Sequence, residues 1–213
     1  MLQKTDAESR SHLEHPVVIG VGGLSSSVGK TTLVCHLLQV FPGWEAIKTT
    51  RGHYRSCGKD AEACCVSHLL GEEPLIRSGR ANTYGPGKDT GRYWDAGASN
   101  VHWLIATEDQ IERGIQQTLR RVQSEGVFIE GNTFSQFIRT DYFVMVKRSG
   151  LESIKKSARV LMPNVSSLFV FDDNQSATVE RSVEGLENDR PVFTQPHFHL
   201  LVSHLRNAIA TRQ

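Results

Sequence analysis

The chain has no apolar run approaching the roughly 20 residues of a membrane-spanning helix, so no spanning segment is expected. It also lacks a run of lysines and arginines long enough to neutralise a row of phosphates. With a formal charge of only +1, a nucleic-acid partner is not expected. Residues 1–14, MLQKTDAESRSHLE, are charged throughout and lack the apolar centre of a secretory signal. They read as a flexible leader, and the cytoplasm is the expected compartment. Cysteine is scarce: the four residues Cys35, Cys57, Cys64 and Cys65 suit thiols or ligands in a reducing compartment better than a disulfide framework. Internal repeats and low-complexity tracts are missing as well.

What is present suffices for one core. At 213 residues, 38% hydrophobic and 22% charged, the chain is expected to form a single domain over 15–213 with an insertion at about 51–85. Short apolar runs alternate with helix-compatible stretches. PVVIGVGG from Pro16 is an apolar run ending in glycines, which suits a buried strand that turns sharply. In TTLVCHLLQVF, Leu33, Leu37 and Phe41 recur four apart on one helical face, and Cys35 is expected in the core. Further strands are expected at 45–50, 101–106, 126–131, 141–147, 166–172 and 190–194. A helix closes the chain. The most regular helix follows Thr107 and Gln110, a capping box, with Ile111, Ile115, Leu119 and Val122 at helical spacing. This alternation predicts an α/β fold, a mostly parallel sheet with helices on both faces. The stretch 51–100 is far longer than the roughly two to six residues of ordinary strand–helix connections, so it is expected to be functional or to carry small elements of its own.

The segment GGLSSSVGKTTL follows an expected strand and opens an expected helix, the context in which a Walker A reading gains its meaning. Phosphate oxygens need several convergent backbone N–H donors, and a helix N-terminus supplies both donors and field. The nucleotide site is accordingly assigned to Ser25, Ser26, Ser27, Val28, Gly29, Lys30, Thr31 and Thr32. Lys30 would reach the β and γ phosphates and the Thr31 hydroxyl would coordinate Mg²⁺. Relative to G-x-x-x-x-G-K-[ST], the first glycine falls on Leu24 after Gly22 and Gly23, so the loop is expected to turn one residue early. Ser25 stands where a deviant Walker A carries a second lysine, which disfavours ATPases that use that lysine across a dimer.

A second island comprises Pro86, Gly87, Lys88, Asp89, Thr90, Arg92, Ala96, Gly97 and Ala98, and a third comprises Phe128, Ile129, Glu130 and Gly131. Taken in order with the phosphate loop, these islands resemble the MobB family of molybdopterin-guanine dinucleotide biosynthesis proteins. The resemblance implies a GTP-binding P-loop NTPase fold that assists nucleotide attachment to the molybdenum cofactor, usually beside the transferase that performs it. It also implies that Lys88, Asp89 and Arg92 lie near the nucleotide or a bound anion, with Asp89 joining Lys30 and Glu130 as catalytic candidates, and that Glu130 lies near Mg²⁺. From the residues alone, a carboxylate ending a parallel strand projects into the ligand crevice, though Glu130 could also be a solvated strand-end acid. Arg92 could hold phosphate bidentately, or with Lys88 form a solvated rim.

His53, Cys57, Cys64, Cys65 and His68 fall within one short stretch. Zinc or an iron-sulfur centre would use such donors, and a helical ACCVSHLL would set Cys64 and His68 on one face. Against this, the spacing lacks a C-x-x-C pair, and vicinal cysteines on a helix point about 100° apart. Three functions therefore stay open: a MobB-like GTP-binding accessory protein, a small-molecule kinase using GTP or ATP with Mg²⁺, and a nucleotide-gated metal-delivery protein. A cofactor-biosynthesis enzyme and a second copy of the chain are the partners left open.

Overall fold

A computed structural model describes residues 15–52, 67–150, 154–171 and 190–212. The described strands are β1 Val17–Gly23, β2 Glu45–Arg51, β3 Leu75–Ser78, β4 Val101–Ala106, β5 Gly126–Glu130, β6 Tyr142–Arg148, β7 Ser167–Phe171 and β8 Val192–Thr194. They form one sheet of order β3-β4-β2-β5-β1-β6-β7-β8. Every pairing is parallel except that of β3 with β4. The described helices are α1 Lys30–Val40, α2 Arg80–Thr83, α3 Asp89–Asp95, α4 Ile111–Leu119, α5 Lys156–Leu161 and α6 Phe198–Ala210.

Strand alternation divides the core in two. Val17, Ile19 and Val21 pack with Leu33 and Leu37 of α1, Tyr93 of α3 and Leu201 of α6. Val18 packs on the opposite face with Ile111 and Ile115 of α4 and with Ala158 and Leu161 of α5. The chain is thus α/β, with a mostly parallel sheet covered on both faces. A strand buried on both faces reads as an unbroken apolar run, which is why β4 to β7 lie where the sequence places strands. Among the described residues, no helix is long and apolar enough to cross a membrane.

The long stretch after β2 does carry elements of its own. β3 adds an antiparallel edge, setting Ser78 opposite His102, and α2 and α3 follow it. α3 packs against α1 and β4. Gly91 permits the close seating of α3, because a Cβ there would come within 2.9 Å of the Gly85 carbonyl carbon. Ahead of α4 the capping box forms in one direction: the Gln110 side-chain oxygen accepts from Thr107 N at 3.1 Å, while the Gln110 amide donates to Gly71 O at 2.7 Å. Gln110 is itself the cap and its side chain is drawn to the insertion, so α4 starts at Ile111.

Candidate functional site

The site lies where the sheet order changes direction, at the carboxyl ends of β1, β2 and β5, the usual position of a ligand crevice in open α/β sheets. β1 ends at Gly23, and Leu24 still donates to Val146 O at 2.9 Å, so the early turn expected at the glycine pair does not occur. The positive φ angles come later, at Ser27 (56°) and Gly29 (101°). Leu24 is drawn into the core, which keeps the chain in the sheet one step longer. Gly22 and Gly23 serve close approach: a Cβ on Gly22 would meet the Phe143 ring at 2.7 Å, and one on Gly23 would meet Val28 Cγ2 at 2.8 Å and Lys30 Cδ at 3.0 Å. The Lys30 stem therefore lies across the root of the loop.

Among the described residues, the backbone N–H groups of Ser25, Ser26, Ser27 and Gly29 have no hydrogen-bond acceptor, while Val28 closes the turn over Ser26 and Ser27. Lys30 then opens α1 without a side-chain cap. A run of unpaired N–H groups leading into a helix N-terminus is a geometry suited to an anion. Asn132 fixes the loop's root by accepting from Gly23 N at 2.8 Å and donating to Gly23 O at 3.0 Å. On its outer side, Lys155 Nζ donates to Ser26 Oγ at 2.5 Å.

Behind the loop stands a cluster centred on Glu130, which is 2% exposed and so is not a solvated strand-end acid. Its Oε2 accepts from Thr31 Oγ1 at 2.7 Å and from the Tyr93 hydroxyl, and its Oε1 accepts from Lys48 Nζ at 2.5 Å. Lys48 Nζ also lies 2.6 Å from Asp89 Oδ2. Parallel pairing sets Lys48 directly beside Glu130, and α3 presents Asp89 and Tyr93 one turn apart. Arg92 is half-buried and donates to Thr32 Oγ1 at 3.1 Å, whereas Lys88 is exposed on the rim at the start of α3.

The charges are strongly coupled. Burial depresses the Lys30 ammonium below its ordinary 10.5; Glu130 pulls it back up, and Lys48 and Lys155 push it further down. Burial also opposes the charge on Lys48, but Glu130 and Asp89 outweigh it and hold that pKa above 10.5. For Asp89, burial would raise the pKa, yet the hydrogen bond and charge of Lys48, with help from Thr31 and Arg92, keep it below 3.8. Burial and then the Glu130 charge push the Tyr93 phenol well above 10.0, so it serves as a neutral donor. Cys35 is core, as expected. Its Sγ lies 3.6 Å from Arg92 O, and burial raises it to about 11.

Thr31, Asp89 and Glu130 offer hydroxyl and carboxylate oxygens, the hard donors that Mg²⁺ takes alongside several waters. Of the cysteine and histidine cluster, His53, Cys57, Cys64 and Cys65 lie outside the described residues. His68 is exposed in a short 3-10 turn, and no group of three or more His, Cys, Asp or Glu able to hold a metal occurs among the described residues. Two residues of the constellation escaped the sequence reading, Lys48 and Tyr93. The available signals were a lone charge next to an apolar strand segment and an aromatic at i+4 from Asp89. Compared with known proteins, the chain matches no family model and no curated protein.

Proposed function

We propose that the protein is a P-loop nucleotide-binding protein that holds a magnesium–nucleoside triphosphate at this edge of the sheet. In this reading it acts, like the MobB proteins its islands resemble, as a GTP-binding accessory in molybdenum cofactor biosynthesis. The observation that carries the nucleotide reading is the junction of unpaired loop N–H groups with Lys30, Thr31, Asp89 and Glu130 at the foot of α1. The loop and Lys30 bind phosphate oxygens, and Thr31, Glu130 and Asp89 hold the cation. When bound, the cation neutralises charge on the β and γ phosphates. GTP is preferred to ATP on the resemblance alone. One observation favours a second reading, phosphoryl transfer to a small molecule: Lys48 supplies a further half-buried cation near Lys30, as charge stabilisation during transfer requires.

The test is titration calorimetry with Mg·GTP and Mg·ATP on wild type and Lys30→Ala, together with mass analysis of any nucleotide that copurifies. Equal affinities in the two proteins would sink the assignment. Turnover of γ-phosphate onto a supplied acceptor, rather than onto water, would select the kinase reading.

A further inference from the structure

Lys48 stands where two carboxylates converge. Its ammonium is 2.5 Å from Glu130 Oε1 and 2.6 Å from Asp89 Oδ2, and Glu130 reaches Thr31 Oγ1 through its other oxygen. These three residues are the oxygen donors assigned above to a divalent cation, so the ammonium and the cation compete for one place. Metal–oxygen distances near 2.0–2.1 Å leave no room for a second positive centre between the same oxygens.

We propose that Lys48 is a resident cation that keeps the divalent-metal site filled until nucleotide arrives, and that its ammonium then exchanges the two carboxylates for the terminal phosphate. The inference rests on the nucleotide reading and assigns to Lys48 a positioning role within it. Three features make the exchange possible. First, the Lys48 backbone is fixed on both sides, opposite Trp103 on β4 and Glu130 on β5, so only the flexible stem has to move. Second, Glu130 does not depend on Lys48 alone, because Tyr93 and Thr31 remain as donors when the ammonium leaves. Third, metal without nucleotide would bring a doubly charged ion against Lys48 and Lys30 with no new anion to offset it. Metal with nucleotide brings the phosphate charge that gives Lys48 its next partner. The site therefore refuses a free divalent ion and accepts the metal–nucleotide complex.

The test uses Mn²⁺ alone, followed by electron paramagnetic resonance, and Mg·GTP and Mg·ATP, followed by calorimetry. Lys48→Met should bind Mn²⁺ in the absence of nucleotide at least about tenfold more tightly than wild type, and should bind the magnesium–nucleotide at least about tenfold more weakly. Opposite signs in one variant are not produced by a residue that merely supports the fold. Mn²⁺ should also raise the melting temperature of Lys48→Met while leaving wild type unchanged, and adding Glu130→Gln should remove that rescue. Folded Lys48→Met and Lys48→Gln with Mn²⁺ affinity equal to or below that of wild type would overturn the proposal. If neither variant folds, wild type decides: Mn²⁺ bound without nucleotide more tightly than about 0.1 mM overturns it, and weaker binding supports it. Failure of wild type to bind any magnesium–nucleotide would remove the parent reading, whereas Mn²⁺ affinity in Lys48→Met equal to that of a wild type that does bind nucleotide would remove only the role of Lys48.

Discussion

β2 carries two buried polar clusters, one at its amino end and one where Lys48, midway along it, meets the carboxyl end of β5, and the two are built on different plans. At its amino end Glu45, 2% exposed, accepts from Gln123 N at 2.7 Å and Ser124 N at 2.9 Å through one oxygen, and through the other meets His102 Nε2 at 2.7 Å. His102 is 1% exposed, and its Nδ1 lies 2.8 Å from Ser78 Oγ. Two of the Glu45 partners are backbone, fixed by the chain itself, and the whole group sits at the sheet margin away from the loop. At the carboxyl end of β5, every partner of the Glu130 carboxylate is a side chain: Thr31, Lys48 and Tyr93. A carboxylate tied to backbone braces the fold, whereas one held by side chains can change partners without unfolding anything.

Substitutions in the two clusters should therefore separate stability from binding. The largest effect is expected from Lys30→Ala, which should lose at least about a thousandfold in magnesium–nucleotide affinity, about 4 kcal/mol, while its melting temperature stays near that of wild type. Glu45→Ala should do the reverse. It strands two N–H groups and His102 and should cost about 3 kcal/mol of stability in urea titration, with nucleotide affinity in the folded protein unchanged. The Glu45 carboxyl is also the acid-sensitive brace. Burial would raise its pKa, but His102 and the two N–H bonds hold it below 4.5. A carboxyl whose folded pKa is depressed stabilises fully above its ordinary value, and that contribution disappears as the pH falls through the lower folded one. Between about pH 6 and about pH 3, Glu45→Gln should lose less stability than wild type.

In the Glu130 cluster, Asp89→Ala should weaken magnesium–nucleotide binding by more than tenfold, about 1.4 kcal/mol, with little change in melting temperature. Loss of folding together with normal binding by the folded fraction would erase the contrast between the two clusters. The smallest effect belongs to Ser78→Ala, which removes one hydroxyl contact of His102 and should cost about 1 kcal/mol or less by thermal denaturation.

The contrast also explains what could be read in advance. The buried parallel strands announce themselves as apolar runs, and Gly29, Lys30 and Thr31 stand at the foot of α1 because a local pattern encodes a local turn. β3 escapes because Leu75–Ser78 is short, half-buried and antiparallel at an edge, where neither an apolar run nor a clean alternation is required. α3 escapes because its sequence contains Gly91, and its place is fixed by packing on Gly85 rather than by helical propensity. Tyr93 and Lys48 acquire their meaning only once β2, β5 and α3 converge. Their partner Glu130 is 37 residues from the first and 82 from the second, and no window along the chain spans that.

Asn132 gives the convergence a mechanical character. Its amide grips both backbone polar groups of Gly23, and along the chain it sits two positions beyond Glu130. The root of the loop and the acid behind it are thus two points on one lever with Asn132 as the pivot. A displacement of either is passed to the other through two hydrogen bonds and a short length of backbone, so the loop and the buried acid are positioned as one piece.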